Sequence, residues 1–147
     1  MTDRREQILA RLTVVAKSVS GISVFRNRDA IPENERPAIA ILDAHEEARM
    51  SAIDTGLRNK GINIVTMMPE VYILTSSEAE TVGKSINTIR VNLIKAVVLD
   101  SALLTLCGTN GRIDYLGCET QFATGRKING DMSIKFSFSY PVLPSEL

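Results

Sequence analysis

The sequence lacks a net charge, a long apolar run, a cysteine framework and a second histidine. Its 17 basic residues balance 17 acidic ones. A neutral domain has no long-range field that attracts a polyanion, so we expect no tight binding to nucleic acid through phosphate contacts. No apolar segment approaches the roughly 20 residues that cross a bilayer, and the charged N-terminal segment does not have the pattern of a signal peptide. We therefore expect a protein folded in a cytoplasm, away from membranes.

The residue types that carry most catalytic chemistry are scarce. Cys107 and Cys118 lie too far apart in the sequence for a CxxC redox or zinc motif, and we expect both to be reduced side chains that fill the core. His45 is the sole imidazole, and no GxSxG elbow or Cys–His signature accompanies it. The sequence therefore predicts a protein that is not an enzyme and that binds no cofactor.

One short segment gathers ligand-type side chains: Asp43, His45, Glu46 and Glu47. At the end of a strand, Asp43, His45 and Glu47 would share one face, as a metal site could require. Neighbouring arginines can pair with these carboxylates, and metal sites of this type usually draw on more than one histidine. The pattern favours a solvated or interface role over a metal site.

Hydrophobic periodicity predicts one α+β domain over residues 1–147, with the element order α-β-β-β-α-β-β. We expect a mostly antiparallel sheet that is packed on one face by two helices. The first helix follows Asp3 as its cap, and the second has an apolar stripe of Val82, Ile86, Ile89, Leu93 and Val97. Asp100 can cap a short helix that ends at Gly108.

The last strand, residues 131–141, alternates without a fault and is predicted to lie in the core of the sheet. Its apolar side chains are Met132, Ile134, Phe136, Phe138 and Tyr140. Gly117, where the preceding strand changes its apolar parity, predicts a bulge or strong twist, and Pro69 predicts a bulge or an edge. Residues 125–130 are predicted to form the turn between these last two strands.

A long charged β-hairpin excursion, Asp43 to Lys60, follows the strand at residues 38–42. Its predicted connection, from about residue 45 to 61, is longer than most loops of compact domains, and such loops are usually functional or disordered. The Arg126–Lys127 tip is either a solvated turn or a contact to a partner protein or passing DNA. The candidate interface residues are Asp43, His45, Glu46, Glu47, Arg49, Asp54, Arg58, Lys60, Arg126 and Lys127.

The ordered set of segments resembles the tail terminator proteins of long-tailed bacteriophages, the lambda-type minor tail protein U family. The similarity spans nearly the full length of the chain. It lies in the amphipathic helix Arg5 to Val19, the proline-led strand Glu35 to Ile41, the charged excursion, the return strand Val71 to Leu74, the helix pair broken at Asp100 to Leu103, and the closing element Tyr115 to Pro141.

The resemblance implies a structural protein that forms a ring, a homohexamer in this family. Such a ring caps the tail tube, terminates tail polymerisation and joins the tail to the head-side connector. The implied partners are further copies of the chain, the tail tube protein and a connector or neck protein, while DNA passes through without specific binding. The implied location is the head-proximal end of the virion tail, after assembly in the host cytoplasm.

Three other readings of the residues stay open. The first is a phage head-completion or neck protein, which has the same size and the same lack of chemistry. The second is a small ligand-binding regulatory α+β module, which requires an apolar pocket with convergent polar groups. The third is a metal-dependent enzyme that uses Asp43, His45 and Glu47.

Overall fold

Three helices and five strands form the described part of the chain. The computed structural model describes residues 3–19, 22–28, 31–50, 63–77, 79–123 and 128–143. Helix α1 spans Arg4–Lys17, α2 spans Ala79–Val98 and α3 spans Ser101–Cys107. The strands are β1 (Ser23–Arg26), β2 (Ala38–Met50), β3 (Asn63–Ser77), β4 (Arg112–Ala123) and β5 (Ile128–Val142). None of the described helices is long and apolar enough to cross a membrane.

The helix boundaries follow from capping side chains. The Asp3 carboxylate accepts a hydrogen bond from the Arg5 backbone N–H at 3.2 Å, which begins α1. Asp100 accepts a hydrogen bond from the Leu103 N–H at 2.9 Å and begins α3, which ends at Gly108. These side chains satisfy N–H groups that the first turn of a helix leaves without a partner. The predicted caps at Asp3 and Asp100 are confirmed.

The five strands form one sheet in the order β1-β2-β3-β5-β4. β1 runs parallel to β2, and the other neighbouring pairs are antiparallel. The α+β class, the mostly antiparallel sheet and the element order α-β-β-β-α-β-β are therefore confirmed, with α2 and α3 together at the second helical position. Helices α1, α2 and α3 pack on the sheet.

The main core lies between the helices and one face of the sheet. Four of the five predicted apolar residues of α2 are buried there: Ile86, Ile89, Leu93 and Val97. The alternating side chains of β5 join them, and Phe136 and Phe138 have no exposed surface. A smaller cluster of Ile31, Ala38 and Ala40 lies on the other side of β2, because Ile39 and Ile41 point into the main core. The prediction that β5 belongs to the core of the sheet is confirmed.

Gly117 lies at a bulge in β4, as its position in the sequence predicts. The register of β4 against β5 shifts between Tyr115 and Gly117, which leaves Leu116 as the extra residue with 53% of its surface exposed. Gly117 has φ 129, a conformation that a residue with a Cβ rarely adopts. The bulge explains the change of apolar parity along this strand.

Two predictions about the last hairpin are wrong. Asn129 and Gly130 were expected in the turn, but they belong to β5 and lie opposite Ala123 and Phe122. Cys118 was expected in the core, but it is exposed, whereas Cys107 is buried. The register places Cys118 opposite the buried Ile134, on the helix-facing side of the sheet. Its exposure accompanies its position on β4, the strand at the edge of the sheet.

Candidate contact surface on strand β2

Strand β2 continues well past its predicted end. It pairs with β3 as far as Met50, which lies opposite Asn63. We refer to residues 43–50 as the β2 arm. The expected connection beginning near residue 45 is therefore wrong for residues 45–50, which are strand. Because β1 pairs only with Ala38–Ile41, the arm has a strand neighbour on its β3 side and none on its other side within the described ranges.

A bulge separates the arm from the rest of β2. The register shifts between Leu42 and His45, so Asp43 and Ala44 together face the single residue Pro69. Proline has no N–H to give to a sheet ladder, and a bulge accommodates it. Ala44 takes a positive φ of 47 at this point. The prediction that Pro69 marks a bulge is confirmed.

The bulge also decides which side chains of the arm share a face. Asp43 continues the alternation of Ile39 and Ile41 and lies on the helix-facing side, while His45 and Glu47 lie on the opposite side. His45 Nε2 and Glu47 Oε1 are 3.2 Å apart. The expected common face of Asp43, His45 and Glu47 is therefore wrong. Among the described residues, no group of three or more His, Cys, Asp or Glu side chains could hold a metal ion.

Arg26 links the base of the arm to α1 through side-chain hydrogen bonds. Its guanidinium donates to both carboxylate oxygens of Glu6 at 2.7 and 2.8 Å, and to both of Asp43 at 3.0 Å. These hydrogen bonds hold the pKa of each carboxyl below its ordinary value. A carboxylate engaged in this way is an anchor, so Asp43 positions the arm.

The outer half of the arm presents its charges to solvent. His45, Glu46, Glu47 and Arg49 are all exposed. Glu46 lies on the helix-facing side, with its Oε2 3.5 Å from Arg5 Nε, and the Glu47 side chain is 69% exposed. The other candidate residues, Asp54, Arg58, Lys60, Arg126 and Lys127, lie outside the described residues. The structure thus brings half of the predicted interface set onto one strand.

A second charged surface, on α2, was not singled out from the sequence. Lys84, Thr88, Val91 and Lys95 recur at intervals of four, three and four residues, so they share the side of α2 that points away from the core. All four are exposed. We call these four residues the α2 stripe. This cationic surface could have been predicted from the sequence, because no Asp or Glu occurs between Thr81 and Leu99.

A cluster beside α2 joins Arg90, Tyr115 and the exposed Cys118. Arg90 donates a hydrogen bond from Nη2 to the Tyr115 hydroxyl at 2.9 Å and lies over its ring at 5.5 Å. Hydrogen bonds from Tyr115 and then Arg90 lower the pKa of the Cys118 thiol. Burial instead raises the pKa of Cys107 to about 11. The two thiols, which looked alike in the sequence, therefore differ in environment.

The surfaces described so far are exposed, charged strand and helix faces. Comparison with protein-family models found no family that matches the chain. A search of curated proteins likewise found no match.

Proposed function

We propose that the protein is a phage tail terminator: a structural protein that assembles into a ring, caps the tail tube, stops its polymerisation and joins the tail to the head-side connector. The hexamer, the virion location and the partners of this proposal come from the resemblance to the lambda-type minor tail protein U family. The α+β fold, which hydrophobic periodicity predicted, is the architecture of the chain.

The observation that carries the proposal is the β2 arm. It is a strand segment with exposed charges, held at its base by the four hydrogen bonds of Arg26 to Glu6 and Asp43. A pre-ordered strand loses little conformational entropy when a partner binds it, which favours its use as a contact surface. An open strand edge also offers main-chain hydrogen bonds to a partner.

A ring made of one kind of chain needs two different surfaces on each copy, because each subunit contacts its neighbours through opposite sides. The terminator acts by occupying the tube end with a surface that tube protein cannot extend. The ring's other end then receives the connector. Binding by complementary surfaces is sufficient for this role, and no bond needs to be made or broken.

The experiment combines electron microscopy of the purified protein with a tube-length assay. We expect rings with a central hole, and we expect tail tube protein polymerised with the chain to give shorter tubes with one capped end. The variant Glu47→Lys/Arg49→Glu keeps the net charge but exchanges the positions of the two charges on the arm. It should no longer cap the tube. Lys135→Gln, an exposed change on the sheet face away from the helices, is the control.

Tube lengths that do not change with added protein would refute the terminator role. Binding assays against tube protein and against portal or connector protein then separate the closest alternative. A head-completion or neck protein would bind the connector and leave the tube unbound, whereas a terminator binds both.

A further inference from the structure

The outer edge of the β2 arm is open beyond the end of β1. The chain that follows β1 contacts this edge through Asn27, whose N–H donates to the Ile41 oxygen at 2.7 Å and whose Oδ1 accepts from the Asp43 N–H at 3.0 Å. Within the described ranges no strand lies beside residues 45–50 on this side. An open strand edge offers main-chain N–H and C=O groups to a further strand. The arm can therefore accept a strand from another chain.

Two charges of opposite sign lie on one face of the arm. Glu47 and Arg49 are two residues apart on the sheet face away from the helices, and both are exposed. Their neighbours across the ladder on β3 are Thr66 and Ile64, which carry no charge. Glu47 contacts His45, which is charged only when protonated, and Arg49 forms no ion pair with a described residue. This face therefore presents one acid and one base to a partner.

The helix-facing side of the arm carries its smallest side chain between these two charges. Ala48 is exposed and lies opposite the buried Val65. On the same side Glu46 Oε2 is 3.5 Å from Arg5 Nε, so this carboxylate already has a partner within the chain. An alanine does not obstruct the close approach of a second strand centred on this residue.

The charge order of the arm is complementary to itself in one register. When two arms lie antiparallel and are centred on Ala48, Glu47 of each copy is directly opposite Arg49 of the other, and two reciprocal ion pairs form. A parallel arrangement with identical residues opposite each other would place acid beside acid and base beside base, which is destabilising. The arm therefore fits a second copy of the chain, and the order of its charges favours the antiparallel direction.

We propose that two copies of the chain pair through their β2 arms, antiparallel and two-fold symmetric about Ala48, so that the sheet continues from one copy into the other. The contact is isologous, because both copies use the same surface. Main-chain hydrogen bonds supply the affinity, and the two pairs of Glu47 with Arg49 fix the register. Such pairing goes beyond the proposed function: an arm covered by its own copy belongs to the free protein, and the pair separates before the arm meets another surface.

Charge exchange within one chain tests the register. Glu47→Lys and Arg49→Glu each turn two attractive pairs into two repulsive ones, and each should raise the dissociation constant of the pair by about tenfold. The double variant Glu47→Lys/Arg49→Glu restores opposite charges across the contact and should pair as the wild type does. Glu119→Lys, the same change of charge at an exposed site on β4, should leave the constant unchanged. Sedimentation velocity over a range of protein concentrations measures these constants.

A disulfide tests the symmetry of the contact independently of charge. At the two-fold axis residue 48 lies opposite its own copy, with a Cβ–Cβ separation of about 4.5–5.5 Å, close to the span of a disulfide. Ala48→Cys in a Cys118→Ser background, which lacks the exposed native thiol, should therefore give a covalent dimer with oxidised glutathione as the oxidant. His45→Cys in the same background is the control. Its two thiols would be about 20 Å apart, at roughly 3.4 Å per residue, and the chain should stay monomeric on a non-reducing gel.

Three outcomes would each overturn the pairing. The first is a wild type that is monomeric at every concentration. The second is a double variant that fails to pair although circular dichroism shows that it is folded. The third is an Ala48→Cys chain that cross-links no faster than its His45→Cys control.

The tube-length assay keeps this pairing separate from the proposed function. If the double variant pairs as the wild type does but no longer caps tubes, both proposals stand. If the wild type caps tubes while the Ala48→Cys chain does not cross-link, the pairing is wrong and the terminator role stands. If the arms cross-link while tube lengths do not change with added wild-type protein, the pairing stands and the terminator role is wrong.

Discussion

At the scale of single residues, Arg26 has the widest influence on the candidate surface. Its guanidinium joins α1 to the base of the β2 arm through Glu6 and Asp43. A planar guanidinium can make two parallel hydrogen bonds to each carboxylate, and no other side chain reproduces that geometry. The position of the arm relative to α1 therefore depends on a residue of the short strand β1.

Replacing Arg26 with Met should lower the free energy of unfolding at neutral pH by about 1 kcal/mol, the upper end for partly exposed ion pairs. The methionine keeps the apolar contacts of the arginine stem. Asp43 and Glu6 have folded-state pKa values below their ordinary 3.8 and 4.5. Their contribution is thus present above these ordinary values and is lost as the pH falls through the lowered ones.

Chemical denaturation at a series of pH values measures this effect. The difference between wild type and Arg26→Met should begin to shrink below pH 4.5, the ordinary pKa of Glu6, and shrink further below 3.8, that of Asp43. Arg112→Met is the control: Arg112 also pairs with a neighbouring carboxylate, but its side chain is 72% exposed, so its removal should leave stability unchanged. A difference that stays constant down to low pH would show that the ion pairs are not its cause.

At the scale of elements, two bulges determine what each strand presents. The bulge at Leu116–Gly117 leaves Leu116 without a partner residue on β5. The residues that follow are again aligned with the alternating side chains of β5. The bulge at Asp43–Ala44 separates the anchoring Asp43 from His45 and Glu47. A single inserted residue moves every later side chain to the other face of a strand. The composition of both surfaces of the arm follows from that one residue.

The substitution Gly117→Ala should destabilise the protein by about 1–2 kcal/mol. The cause is backbone strain at φ 129, because an added Cβ would meet no atom within 4 Å. Gly83→Ala is the matched control, since its Cβ also meets nothing within 4 Å and it lies inside α2, where alanine is favoured by about 0.5–1 kcal/mol. Thermal unfolding that ranks the two variants in the reverse order would contradict this account.

The elements with a clear hydrophobic period could be predicted from the sequence, and the arm could not. Helix α2 and strand β5 each bury one face, so their apolar residues recur with the period of a helix and of a strand, respectively. Both faces of residues 45–49 are exposed, so no burial pattern distinguishes this strand from a loop. The parallel pairing of β1 with β2 depends on contacts distant in sequence.

The candidate site, too, could be predicted from the sequence only in part. That Asp43 to Arg49 form a charged surface could be predicted from composition. Their distribution over two faces could not, because it depends on the bulge opposite Pro69. The α2 stripe could have been found by asking what the outward side of the predicted helix carries, since Lys84 and Lys95 are spaced for one face.

At the scale of the whole molecule, β5 holds the sheet together. It pairs with β3 on one side and with β4 on the other, and it contributes the fully buried Phe136 and Phe138 to the main core. Strand β4, which pairs with no other strand, therefore joins the sheet only through β5. A central strand that comes last among the described elements makes the fold depend on contacts distant in sequence.

Ending the chain after Ala123 should abolish the cooperative fold, because it removes two strand pairings and a large share of the core. Ending it after Leu143 should leave the fold intact, since β5 ends at Val142. Circular dichroism and thermal unfolding of the two truncations measure the difference. A chain ending at Ala123 that still unfolded cooperatively would show that β1, β2 and β3 with the helices form a sufficient core.

The central position of β5 also has a consequence for the timing of synthesis. A nascent chain emerges from the ribosome in sequence order, so β3 and β4 are in solution before the strand that must lie between them. Until residues 128–142 emerge, the edge of β3 that pairs with β5 has no partner, and β4 has no strand to pair with. Any surface whose shape depends on the completed sheet can therefore form only after translation has passed this strand.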